Sequence, residues 1–173
     1  MTAQAEWLPA SYSVPSSGDS YFKPAAGDNK VRIMGELIRG WEIWESDGDG
    51  NRKPHRSPEK WGDDLIDEMN TKEGEDQKHF WCTIVWDYAS ETFKVWGFTQ
   101  ASIQKTITNI VQNPDFGNPT GYDLNIKKTG EGMMTRYEIM ASPPKELFES
   151  VKAAWKALTP DLEVYFDGGH PLG

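Results

Sequence analysis

The sequence predicts a mainly β (α+β) fold: a five-stranded barrel with a helix between strands 3 and 4, a long strand 1–2 loop and a C-terminal helix. Three observations carry this prediction. Short segments rich in β-branched and aromatic residues recur between Gly, Pro and Asn turns. Helical spacing of apolar residues appears once between the third and fourth of these segments and again near the C-terminus. No internal repeat and no regular strand–helix alternation occurs, which argues against a parallel sheet. A length of 173 residues suits one domain with a well-buried core.

The elements follow in chain order. Residues 1–20 mix Ser, Pro and Gly without periodicity and read as a flexible N-terminal arm. From Lys30 to Arg39 charged and apolar residues alternate as in a half-buried strand, with Gly35 and Gly40 as bends, and Trp41–Trp44 extends it. Residues 45–77 form a long acidic insertion loop. Within it Ser57-Pro58-Glu59 reads as a helix start, Ser as N-cap and Pro at the first helical position. His79–Tyr88 is a strand by its density of aromatic and β-branched residues, and Ala89-Ser90 turns it into Thr92–Thr99. Ile103, Ile107, Ile110 and Val111 then mark a helix capped by Thr99 and ending near Asn113-Pro114. Tyr122–Lys128 and Thr135–Ala141 are two further strands, and Pro143-Pro144 opens a helix carrying Leu147, Phe148, Val151 and Trp155. The chain divides into the arm, a domain over 21–142, and a C-terminal helix and tail over 143–173. Five strands with this helix placement follow the chain order of the OB-fold, which binds single-stranded nucleic acid on its strand 2–3 face.

Composition narrows the function classes. One cysteine, Cys82, excludes an internal disulfide and a Cys-built metal cluster and fits a reducing compartment. No apolar run approaches a membrane span, and the N-terminus lacks the layout of a signal peptide. His55, His79 and His170 lack metal-type spacing. Asp47-Gly48-Asp49-Gly50-Asn51 imitates the start of a calcium loop, but Arg52 and Pro58 fall where Gly and Glu belong, so it reads as a turn. No nucleophile elbow, phosphate-binding loop or dinucleotide fingerprint occurs, so neither an enzyme nor a cofactor is expected. A net charge of −9 argues at first against nucleic acid, yet residues 61–76 alone hold seven acids against Lys72. Residues 79–142 are close to neutral, with six acids and five bases. Eight Trp in one chain suggest either an aromatic core or a stacking surface.

With Ala89-Ser90 as the turn, Trp86 lies opposite Phe93 and Ile84 opposite Val95, and opposed residues share a face. Phe80, Cys82, Ile84, Trp86, Phe93 and Val95 form the more uniformly apolar face, assigned to the barrel interior. Trp81, Thr83, Lys94 and Trp96 fall on the other, together with Val85, Asp87 and Phe98. That mixture of flat rings with polar groups suits bases and phosphates. The expected ligand set is therefore Trp44, Trp81 and Trp96 for stacking, Thr83 beside them, and Arg32, Arg39, Lys53, Arg56, Lys78 and Lys94 for phosphates.

Several stretches resemble the OB-fold single-stranded DNA-binding proteins of tailed bacteriophages. They are Tyr21–Ile33, Gly40–Trp44, Lys53–Ser57, Lys78–Trp81, Val85–Tyr88, Phe98–Ile103, Tyr122–Gly132 and Tyr137–Ile139, within roughly residues 20–148. The resemblance implies a protein that coats and protects single-stranded DNA without sequence preference during phage DNA replication, recombination and repair. It also implies the cytoplasm of the infected bacterial host as location, and phage DNA polymerase or helicase as partners, with self-association as a further expectation. Such proteins usually end in an acidic tail, whereas Pro160–Gly173 carries only Asp161, Glu163 and Asp167. An aromatic-platform carbohydrate-binding β module is the alternative, and a metal-dependent nuclease using the acidic cluster is a third reading.

Overall fold

The computed structural model describes residues 20–69, 71 and 75–173. The arm predicted for residues 1–20 thus lies outside the described residues except for Ser20. Seven strands form one antiparallel sheet: β1 (Gly27–Ile33), β2 (Ile38–Ser46), β3 (Arg52–Ser57), β4 (Lys78–Asp87), β5 (Thr92–Phe98), β6 (Asp123–Thr129) and β7 (Arg136–Ala141). Among the described residues three α-helices accompany them, α1 (Asp63–Asp67), α2 (Ala101–Gln112) and α3 (Glu149–Ala157), with short 3-10 turns at Pro119–Gly121, Gly132–Met134 and Leu162–Asp167.

The expected first strand is divided. β1 pairs with the C-terminal part of β4, Val31 opposite Asp87 and Ile33 opposite Val85, while β2 pairs with its N-terminal part, Ile38 opposite Cys82 and Arg39 opposite Trp81. The break at Met34–Leu37 falls at Gly35, one of the two predicted bends. Within the segment expected as loop, β3 folds back on β2 in register from Trp41–Ser57 to Ser46–Arg52. This strand, Arg-Lys-Pro-His-Arg-Ser, has no apolar alternation, so hydrophobic period does not reveal it. Ser57 closes β3 rather than capping a helix, and α1 begins later, after Gly62.

The sheet is open among the described residues: seven strands that do not close into a barrel, where the sequence predicts five strands forming one. Strand order runs β3-β2-β4-β1-β6-β7, with β5 on the other side of β4, and β5 and β7 do not pair. Part of the outer edge of β5 is taken instead by Ser20–Phe22: the Phe22 amide donates to the Val95 carbonyl and the Val95 amide donates to that of Ser20. Phe22, Ile103 and Ile107 of the adjoining segment and α2 join Val31, Val85, Trp96, Leu124 and Ile139 in the main core. α2 starts at Ala101 with Gln100, not Thr99, at its N-cap and ends before Asn113 as the sequence predicts. α3 begins at Glu149, leaving Pro143-Pro144 outside the helix and Phe148 exposed.

The β4–β5 register agrees with the prediction, Ile84 opposite Val95 and Trp86 opposite Phe93. The assignment of its faces is reversed. Val85, Trp96 and Phe98 look into the main core, whereas Phe80, Cys82 and Val95 pack outward under Tyr165, Phe166, Leu162 and Leu172 of the C-terminal segment. Both faces are covered, so greater apolarity on one side does not identify the interior. The C-terminal segment fits closely because Gly40 and Gly97 lack side chains. A Cβ at Gly97 would collide with the Tyr165 hydroxyl, and one at Gly40 would crowd Phe80 and Phe166. Among the described residues no helix is long and apolar enough to cross a membrane.

Candidate nucleic-acid interface

β2, β3 and the first half of β4 form an arm whose two faces follow from register. Trp41 stands between Ser57 and His79, Arg39 opposes Trp81, which opposes Phe98, and Glu45 opposes Lys53. Directly opposed residues share a face, so Arg39, Trp41, Lys53, His79 and Trp81 lie on one side of the arm. Trp44, Arg56, Glu42 and Lys78 lie on the other, by the pairs Trp44–Pro54, Glu42–Arg56 and Glu42–Lys78.

On the first side Trp81 is half-buried and packs against Phe98, the ring centres 5.9 Å apart. Trp41 is half-buried as well, with its ring 5.1 Å from that of His79 and the Lys60 ammonium 5.2 Å from its centre. The Gln104 amide of α2 donates to the His79 carbonyl and ties this stripe to the core. Arg39 and Trp81 reach a groove of about 890 Å³ bounded by the β1–β2 break, α2 and the start of the C-terminal segment. Its walls are mainly apolar and include Trp96, Val111 and Trp155, while Glu36, Asp161 and Glu163 are the acids that line it. Arg39 and Lys53 are exposed, and among the described residues neither forms an ion pair.

On the second side Trp44 is 40% exposed and lines a smaller cleft of about 290 Å³ with Arg56 and Lys78. Glu42, Glu75 and Asp76 line the same cleft, so its charge is nearly balanced. Arg56 is occupied by the fold. Its Nη1 donates to the Tyr165 carbonyl at 2.9 Å, its guanidinium lies 3.7 Å from the centre of the Tyr165 ring, and Glu42 is 3.5 Å away.

Besides Arg56, four more predicted ligand residues are buried or paired in this conformation. Trp96 is 1% and Thr83 2% exposed, the Thr83 hydroxyl donating to the Glu36 carbonyl. Lys94 is held by Asp87 at 3.1 Å. Arg32, 1% exposed, spends its donors inside the protein: Nε to Asp123 at 2.8 Å, Nη1 to the Thr120 carbonyl and Nη2 to the Lys145 carbonyl. Asp123 also accepts from the Tyr88 hydroxyl at 2.6 Å and faces Lys30 at 3.5 Å. Burial alone would raise the Asp123 carboxyl, but Tyr88, Arg32 and Lys30 outweigh it and hold the group below its ordinary range. Burial and the hydrogen bond to Asp123 push Tyr88 up to about 12.

The prediction thus separates into Arg39, Lys53 and Trp81 on one side of the arm, Trp44, Lys78 and Arg56 on the other, and four residues within the fold. Trp41 and Lys60 belong with the first group although the sequence does not single them out as ligand residues. Trp41 shares strand parity with Arg39, a signal the sequence already held, whereas nothing local in sequence places Lys60 over an indole. Among the described residues no group of three His, Cys, Asp or Glu side chains is arranged to hold a metal ion. No family model, curated protein or solved structure matches the chain.

Proposed function

We propose that the protein binds single-stranded DNA non-enzymatically and without sequence preference, protecting it during phage DNA replication and recombination. The observation that carries the reading is the opposed pair Arg39–Trp81 at the groove, next to Trp41 on the same face. An exposed guanidinium, in no ion pair among the described residues, beside half-exposed indoles provides a phosphate contact and a stacking surface at neighbouring positions, the combination single strands require. The succession of strands, with β1 and β2 read as one broken strand and α2 before β6, supports an opened OB-fold carrying an added β2–β3 arm. Placement in the host cytoplasm, and contact with phage polymerase or helicase, belong to the same proposal and rest on the sequence resemblance.

Tryptophan fluorescence titrated with oligo(dT) tests it. Quenching in low salt is expected, lost progressively as salt rises. Trp81→Ala and Trp41→Ala are each expected to weaken binding by roughly 1–3 kcal/mol, the usual worth of one base–aromatic stack. Absence of quenching in low salt, or affinity indifferent to salt, would refute the reading. Salt-insensitive binding to a polysaccharide would turn it toward the carbohydrate-binding alternative.

A further inference from the structure

The three outer edges of the sheet are protected unequally. β3 presents Lys53 and Pro54, the residue types that most discourage edge pairing, and β5 is partly covered by Ser20–Phe22. β7 closes the other end of the sheet with Arg-Tyr-Glu-Ile-Met-Ala, which contains neither Pro nor Lys, and no described residue pairs with its outer edge.

The hydrogen-bond phase of that edge follows from one contact. The Ser142 amide donates to the Asp123 carbonyl, continuing the β6–β7 register beyond the strand. Alternate residues counted back from it, Met140, Glu138 and Arg136, therefore direct their amides and carbonyls to β6. Tyr137, Ile139 and Ala141 turn theirs outward. Side chains alternate as well: Arg136, Glu138 and Met140 are exposed while Ile139 is buried in the core.

We propose that a second copy of this chain pairs with β7 antiparallel, about a two-fold axis at Tyr137. The hydrogen-bond phase requires outward residues to meet outward residues, which leaves few registers. An axis at Glu138 opposes that carboxylate to its own copy, and an axis at Ile139 leaves Arg136 opposite Ser142. An axis at Tyr137 sets Arg136 against Glu138 of the second copy, twice by symmetry, at positions where side chains approach most closely. Met140, 69% exposed on the same face as Arg136 and Glu138, adds apolar surface to the paired segment. The surface is self-complementary, as a two-fold interface demands.

Light scattering across a concentration series provides the test. The wild-type mass is expected to rise toward twice the 19.6 kDa of the chain. Glu138→Arg and Arg136→Glu, each checked for fold by circular dichroism, are expected to remain monomeric, and the double reversal to recover the dimer. Hydrogen exchange gives a second readout: the Tyr137, Ile139 and Ala141 amides should gain protection with wild-type concentration and not in Glu138→Arg. A wild type monomeric at its highest soluble concentration, dimers persisting in both single reversals, or a double reversal that stays monomeric would each overturn the proposal.

Discussion

Replacing Arg32 and Arg39 in turn by methionine separates a cation that holds the fold from one offered to ligand. Arg32→Met leaves the Asp123 carboxylate, itself 1% exposed, with the Tyr88 hydroxyl and a Lys30 ammonium 3.5 Å away as its remaining side-chain partners among the described residues. It also takes the guanidinium donors from the Thr120 and Lys145 carbonyls. Breaking a buried pair by removing one partner costs about 3–5 kcal/mol. The surviving contacts of Asp123 place the expectation near the lower end, and a domain of this size loses roughly 2–4 °C of Tm per kcal/mol. Urea and thermal melts should therefore show a loss of about 3 kcal/mol and roughly 6–12 °C. Arg39→Met touches no ion pair and should stay within about 0.5 kcal/mol of wild type. Its effect belongs to oligo(dT) binding, where the log–log salt slope should become shallower by about 0.7. If Arg32→Met melts like the wild type yet loses that increment of slope, the assignment of Arg32 to the fold is wrong.

Two further outcomes follow from the packing. Gly97→Ala, by displacing Tyr165, should destabilise the protein by about 2–4 kcal/mol, from lost aromatic burial and the lost cation–π contact with Arg56. It should also make Cys82 react with a thiol reagent; in the wild type burial pushes that thiol up to about 12 and it should stay inert at pH 8. Equal labelling rates in the two proteins would refute this account of the cover. The second outcome concerns acid. Because the Asp123 carboxyl is held below its ordinary 3.8, the unfolded chain takes up its proton first, so the stabilisation is full above that value and lost as pH falls through the lower folded one. Asp123→Asn should flatten the acid limb of a urea-midpoint-against-pH curve below pH 4, and an unchanged limb would count against it.

Much of the fold was legible because local chemistry and tertiary structure agree. The β4–β5 register follows from the turn at Ala89-Ser90, and α2, β6 and β7 lie within a residue or two of the places their patterns indicate. What was illegible has physical causes. β3 is a polar edge strand held by main-chain pairing with β2, so its side chains carry no period. The hairpin faces were reversed because the cover of one of them, Leu162, Tyr165, Phe166 and Leu172, lies about eighty residues downstream in a segment that composition alone describes as a Gly/Pro-rich tail. Arg32 resembles a ligand cation in sequence for a related reason. An arginine alternating with apolar residues reads as solvated until Asp123, remote in sequence, is known to sit beside it.

The same partition bears on how an acidic protein would hold a polyanion. Were all six predicted cations phosphate contacts, the log–log salt slope for oligo(dT) would be about −4, at roughly −0.7 per phosphate on single strands. Arg32, Arg56 and Lys94 are committed to Asp123, Tyr165 with Glu42, and Asp87, which leaves three of the six. The side of the arm that carries Trp41 and Trp81 offers a similar number, Arg39, Lys53 and Lys60. A slope near −2 is therefore expected, with stacking on Trp81 and Trp41 supplying much of the affinity that remains at high salt. A slope near −4 would mean that the internal ion pairs open on binding. Individual Lys53→Met and Lys78→Met variants locate the path of the strand, because the two lysines lie on opposite sides of the arm. Loss of slope in Lys53→Met alone supports the Arg39 face, and loss in Lys78→Met alone would move the path to the Trp44 side.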